Sequence, residues 1–375
     1  MVATMFSLTK IPLSLFAIKG TEGVGVTYLA KCTFGDLVNL IDIAPMDLPS
    51  EDKLQRDPTP SRVKGISNYL ITRTNTVFPE IILAITKANF ESMTIDARTK
   101  MEIGRIHLDS NTPALLVDGQ GRRLGIEEAI SIFNHLSNNC IDMKIFVTDT
   151  NSLSEAKEVL RQVFSDLHKK LVKPSSSTNL YFDRSVSSSN FLASMLEKLK
   201  SPKSNIVTFF DLVSIEGKNT HPYTLAQLSK FVQCFTGMSI AEQNKTFSDD
   251  AVFEFNQRIV KIYLQQIIKT FPEMTKLIGK QIVAKNRSES IIPTAIWLEA
   301  FGYVGCSILY KSILEKSPMD FSVLNKIINF DFNRANPIFK GVVIHDGKVL
   351  KGSAKKLATI LIELLELPVN PKMKI

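Results

Sequence analysis

This 375-residue sequence predicts an α+β chain, with a mixed α/β first half followed by a mostly helical second half. Three observations carry that expectation. Up to about residue 190, β-branched apolar runs alternate with stretches of helical period. Beyond that point the apolar residues recur almost everywhere at helix spacing. No apolar run approaches the roughly 18 residues a membrane span needs, so no membrane association is expected. The change of pattern predicts two domains, 1–200 and 201–375.

Taken in order, residues 12–33 (PLSLFAIKGTEGVGVTYLAKCTF) read as two strands around a turn, with Gly20, Gly23 and Gly25 suiting a hairpin. No Lys-Ser/Thr follows those glycines and no helix opens there, which argues against a phosphate loop. A short helix is expected at 36–43. A polar loop with three prolines, 49–60, leads into SRVKGISNYLITR, where Val63, Ile66, Tyr69 and Leu70 share a helical face. The run PEIILAIT, 79–86, reads as a buried strand. A strand or hairpin is expected over 101–117. An amphipathic helix follows over 125–136, with Ile126, Ile130, Phe133 and Leu136 inward, and then a strand over 141–149. Ser152-Leu153-Ser154-Glu155 is a capping box opening a helix over 153–171. The Ser-rich stretch 173–190 reads as loop. Helical periodicity then covers 191–200, 223–235, 248–271, 293–315 and 353–366, with a late hairpin at 341–349.

The formal net charge is +8, which favours an anionic partner, nucleic acid being the commonest; plain solubility is the alternative reading. Cys32, Cys140, Cys234 and Cys306 lie far apart and show no metal-ligand spacing, so buried free thiols in a reducing cytoplasm are expected. The N-terminal MVATMFSLTKIPLSLFAIKG carries one charge ahead of its apolar part and no small-residue cleavage site, and reads as the approach to a first strand. Trp297 is expected in the core.

The stretch LLVDGQGRRLGI, 115–126, asks for more than a turn. Glycines let a backbone approach an anion closely. A helix start aims free N–H groups and partial positive charge at the same place. Arginine forks hold phosphate oxygens bidentately. Asp118 could orient an arginine, a magnesium ion or a water, and Gln120 can donate and accept. A nucleotide phosphate or a DNA backbone phosphate would suit such a turn; an Asp-Gly turn with solvent-facing arginines is the bland alternative.

The segment VDGQGRRLGI resembles the signature of the DGQHR-domain family, whose best-known branch is DndB, linked to DNA phosphorothioation. Asp118, Gly119, Gln120 and Arg122 stand at the family's Asp, Gly, Gln and Arg, while Gly121 replaces its His. The resemblance extends to LQRDPTPSRVKGISNYL (54–70), to VFSDLHKKLVKPSSSTNLYFDRS (163–185), where His168 stands at the usual Asn, and to FNRANPIFKGVVI (332–344). It covers most of the chain. It implies a ParB/sulfiredoxin-like N-terminal domain and a DNA-associated role in a modification or defence system, regulatory as in DndB-like proteins.

With that resemblance, Asp118, Gln120 and Arg122 are the candidate catalytic residues. Gly119, Gly121, Arg122, Arg123 and Arg56 are expected on nucleotide phosphate. Arg62, Lys169, Lys170, Lys173 and Ser176 are expected on DNA. The cofactor expected is ATP or another nucleotide with Mg2+, with no resident metal. DNA and other DNA-modification proteins are the expected partners, with self-association left open. Whether the chain hydrolyses nucleotide stays open too: a DNA-dependent ATPase and a non-catalytic subunit are both alternatives. Gly121 removes an imidazole that His135 or His168 would have to replace in space.

Overall fold

The computed structural model describes residues 7–23, 25–43, 58–99, 101–169, 174–199, 207–217 and 219–371. The chain divides into two units, Met1–Val172 and Lys173–Ile375. The expected boundary at 200/201 lies outside the described residues, as do Arg56, Lys170 and Lys173.

The first unit is built on an eight-stranded mixed sheet. Its strands are β1 (Ser7–Leu8), β2 (Leu13–Glu22), β3 (Gly25–Thr33), β4 (Ile81–Ile85), β5 (Asn89–Ile95), β6 (Glu102–Leu108), β7 (Pro113–Asp118) and β8 (Cys140–Val147). Their spatial order is β1-β7-β4-β8-β3-β2-β6-β5. Only β4 and β8 run parallel; the remaining pairs are antiparallel. The expected hairpin over 12–33 is present as β2–β3.

Helices α1 (Phe34–Leu40), α2 (Pro60–Thr72) and α3 (Gln120–Ile132) cover one face, placing Leu37, Leu40, Leu70, Ile126 and Ala129 in the main core of the unit. On the other face, α4 (Lys157–Lys169) and the turn before it pack Leu153, Ala156 and Leu160 against Ile82, Ala84, Leu115, Val117 and Phe146. Strands β4 and β7 are therefore covered on both sides. That is why all five residues of β4 are buried and why its sequence shows no alternation. Away from α4, β2, β3 and β6 alternate: Phe16, Ile18, Leu29 and Ile103 are exposed, and Arg105 lies 3.9 Å over the Phe16 ring.

Several elements differ from the expectation. The strands within 101–117 do not form a hairpin: β6 pairs with β2 and β5, whereas β7 pairs with β4 and β1. The helix expected from 125 begins five residues earlier, at Gln120. The helix expected from 153 begins at Lys157, because residues 153–156 form turns instead. Strand β5, mostly exposed, gave no apolar alternation to read.

The second unit is mostly helical, with α5 (Ser176–Phe182), α6 (Ser187–Leu199), α7 (Leu225–Thr236), α8 (Ile240–Thr246), α9 (Asp250–Thr270), α10 (Lys280–Glu289), α11 (Ala295–Glu315) and α12 (Ala354–Leu364). Two short strand pairs complete it: β9 (Val213–Ser214) with β10 (Tyr223–Thr224), and the hairpin of β11 (Ile344–His345) with β12 (Lys348–Val349). The Ser-rich stretch expected as loop contains α5 and the start of α6, with the Ser175 hydroxyl capping α5 through Thr178 N–H. Aromatic rings fill the core: Trp297, fully buried, stacks on Phe301 with centroids 4.0 Å apart, and Tyr223 donates its hydroxyl to the Ile292 carbonyl at 2.6 Å. No described helix is long and apolar enough to cross a membrane.

Three of the four cysteines are buried, as expected; Cys140, at the start of β8, is exposed. Burial pushes the thiols of Cys32 and Cys234 up to about 12. Since the thiolate is the reactive form, Ellman's reagent is expected to titrate one thiol per native chain. A Cys140→Ser variant should then titrate none until denaturant is added. A second fast-reacting thiol would refute the burial of the other three.

Candidate functional site

The DGQGRR stretch lies where β7 ends and α3 begins. Asp118 is the last residue of β7, opposite Ile82 of β4. Gly119 reverses the chain with φ +112°, and the helix starts at the next residue. No side chain caps it, and its first backbone bond runs from Arg123 N–H to the Gly119 carbonyl. The N–H groups of Gln120, Gly121 and Arg122 thus lack the helical partners that later residues have. Strand, one-glycine turn and helix start follow one another here as the sequence leads one to expect.

The two arginines part company. Arg122 keeps to the turn: its Nη2 donates to Asp118 Oδ2 at 2.9 Å and to the Glu80 carbonyl at 3.0 Å, tying the turn to the start of β4. Its Nε is buried and has no acceptor among the described residues. Such a buried donor costs about 1–3 kcal/mol when unsatisfied. Gln120, 7% exposed at the first position of the helix, makes no side-chain hydrogen bond among the described residues.

Arg123 was expected on phosphate, and the structure corrects that. Its side chain is 3% exposed and points into the unit. There Nε donates to the Ile41 carbonyl at 3.0 Å and Nη2 to the Val38 carbonyl at 2.9 Å, while Nη1 pairs with Glu127 and Asp42 stands 3.5 Å from Nη2. These carbonyls belong to the end of α1, where a guanidinium meets both the free acceptors and the negative end of the helix. Arg123 is a structural strut: these bonds take four of its five N–H groups.

Arg62 is brought to the turn by the close pairing of α2 with α3. A Cβ on Gly125 would sit 2.6 Å from Ile66, so the two helices approach at that glycine. One turn earlier, the Arg62 Cδ and Nε lie 3.7 Å from where a Gly121 side chain would start, with Pro58 at the same distance. Arg62 is exposed and forms no ion pair among the described residues. Expected on DNA, it stands beside the same helix start as Arg122. Nothing in the sequence signals this meeting, because the two residues belong to different motifs. The substitution of the family's His by glycine leaves this position bordered by the Arg62 stem.

His135 does not replace that His. It follows the far end of α3, a 13-residue helix and so about 20 Å from Gly121, beside Phe133. Lys169 closes α4 and Ser176 opens α5, exposed, each in a different unit. Among the described residues no group of three or more His, Cys, Asp or Glu side chains could hold a metal ion.

A mixed-sheet unit carrying an uncapped, arginine-lined helix start, followed by a helical unit, places this protein in the mixed α/β class. Within it, the chain matches the DndB family, described as DNA-sulfur modification-associated, over residues 15–367. The chain belongs to this family, and the match runs through residues of both units and through the DGQGRR stretch. No curated protein and no solved structure matches it.

Proposed function

We propose that this protein is a DNA-binding regulator of a DNA phosphorothioation system whose α3 turn holds the phosphate of a nucleotide. One observation carries the reading: the buried, acceptor-less Nε of Arg122 at an uncapped helix start, with Arg62 exposed alongside. A phosphate supplies the missing acceptor, and the helix N–H groups and Arg62 share its charge. The residues fit such a group: Arg122 and the backbone of residues 120–122 would contact it, Gln120 would fix the turn, and Arg62 would close it from α2. The nucleotide would bring the negative charge this corner lacks. The ParB/sulfiredoxin-like architecture and the regulatory role rest on the family resemblance.

Binding is favoured over hydrolysis because the Asp118 carboxylate is already engaged by Arg122 at 2.9 Å. The test uses the full chain with a fluorescent ATP analogue and a labelled duplex. Arg62→Ala, an exposed change, is expected to weaken nucleotide binding about tenfold while leaving the melting temperature within about 1 °C, since charged contacts of this kind contribute about 1.5–3 kcal/mol each. Turnover of ATP should stay at background with or without DNA. DNA-stimulated hydrolysis abolished by Asp118→Asn would replace this reading with the ATPase one. Undiminished nucleotide affinity in Arg62→Ala would remove the turn from the site.

A further inference from the structure

Residues 332–356 of the second unit, FNRANPIFKGVVIHDGKVLKGSAKK, carry six cations and one carboxylate, an excess of five in a chain whose net charge is +8. The fold draws these cations to one end of the unit. Arg334 Nη1 donates to the Gly347 carbonyl at the tip of the β11–β12 hairpin, at 3.2 Å. Lys340 bridges to Ile344 at the foot of the hairpin. Lys355 and Lys356 open α12, whose first turn holds no acidic residue and whose N-cap Ser353 makes no capping hydrogen bond.

Three lysines sit beside tight turns: Lys340 next to Gly341 (φ +73°), Lys348 next to Gly347 (φ +71°) and Lys351 next to Gly352 (φ +77°). Nothing lies within 4 Å of a Cβ built on any of these glycines, so each turn is open to a large partner. Lys340, Lys348, Lys351 and Lys356 are exposed and form no ion pair among the described residues. Two exposed carboxylates lie in or next to this segment: Asp331, which accepts from Asn333 N–H, and Asp346, 3.5 Å from the His345 ring. Among the described residues Arg334 forms no ion pair and its buried Nε has no acceptor, and burial pulls its guanidinium below the usual arginine range. A basic helix start is unfavourable for the helix dipole unless an anion lies against it.

We propose that this platform, formed by Arg334, Lys340, the β11–β12 hairpin, Lys351 and the start of α12, is a contact surface for the phosphate backbone of duplex DNA. The proposal rests on the DNA-binding reading above and assigns DNA contacts to residues of the second unit. Point charges on turns with open backbone suit a row of phosphates and give affinity without sequence preference. An acidic protein surface is the other occupant such charge would admit, and the experiment separates the two.

Anisotropy of a labelled duplex is measured with the full chain from 50 to 300 mM salt. The comparison is between the wild type, a Lys340→Gln/Lys348→Gln/Lys351→Gln triple variant, and the same three positions changed to Arg. The Gln variant is expected to lose at least about tenfold in affinity near 150 mM salt. Its dependence of log K on log salt should become shallower by roughly 2 to 3, close to one unit per lost phosphate contact. The Arg variant restores both, which also shows that the positions tolerate change. If the wild type binds duplex and the Gln variant binds with the same slope, the platform is overturned and the DNA reading stands. If the wild type binds no duplex, both fall. Displacement of the duplex by poly-glutamate at equal charge concentration would assign the platform to an acidic partner and overturn the proposal.

Discussion

Arg123→Ala is expected to lower the stability of the first unit by about 3 kcal/mol. The cost has two parts. The carbonyls of Ile41 and Val38 lose their donors, and Ile41 is fully buried, so no water replaces the guanidinium there. The removed side chain is 3% exposed and leaves a cavity between α1 and α3. The ion pairs contribute little, because Glu127 and Asp42 are about half exposed. Arg123→Lys should recover only part of the loss, since an ammonium cannot reach two carbonyls and a carboxylate in one plane. Equilibrium denaturation checks this. Nucleotide affinity measured well below the unfolding transition should be nearly unchanged in both variants. Full stability in Arg123→Ala, with lost nucleotide binding, would return this residue to the site.

Gly119→Ala is expected to cost about 2–4 kcal/mol, for two reasons that act together. With φ at +112°, the backbone at this position is strained for any residue with a Cβ. The new methyl would also lie 2.4 Å from Ile81 Cδ1, in a strand whose residues are all buried. Gly121→Ala is the internal comparison. Its methyl would meet Arg62 and Pro58 at an ordinary 3.7 Å within a helix, so it should be neutral or stabilising by up to about 1 kcal/mol. Similar midpoints for the two variants in urea would show that the turn is not held as described.

The readable parts of this fold are those whose environment is fixed by near neighbours. The β2–β3 hairpin follows from alternation and a glycine turn, and β4 from a β-branched run that stays apolar because both its faces are covered. The start of α3 was hidden. Two glycines and two arginines look like a solvated loop, and only partners elsewhere bury them: Glu80 for Arg122, and Val38 and Ile41 for Arg123. The same holds for residues 173–190, where serines that suggest loop serve as a helix cap and, at Ser177, 2% exposed, as a buried acceptor for Ala226 N–H. The apolar pattern on either side placed the turn correctly at a strand-to-helix junction. It could not tell which of two adjacent arginines faces inward, because that depends on where α1 ends, not on the motif.

The strand order has a kinetic consequence. The β2–β3 and β5–β6 pairs join neighbours in sequence, whereas β4 meets β7 and β8 only after long stretches of chain have been closed. Loop closure must precede the contacts that reward it, so local hairpins form early and such pairings late. The DGQGRR corner hangs on β4 through Glu80 and Ile81, which makes it a late product of folding. In pulse-labelled hydrogen exchange, the amides of β2 and β3 should gain protection first and those of β4 afterwards. The chain thus acquires its DGQGRR corner only when the sheet around it is complete.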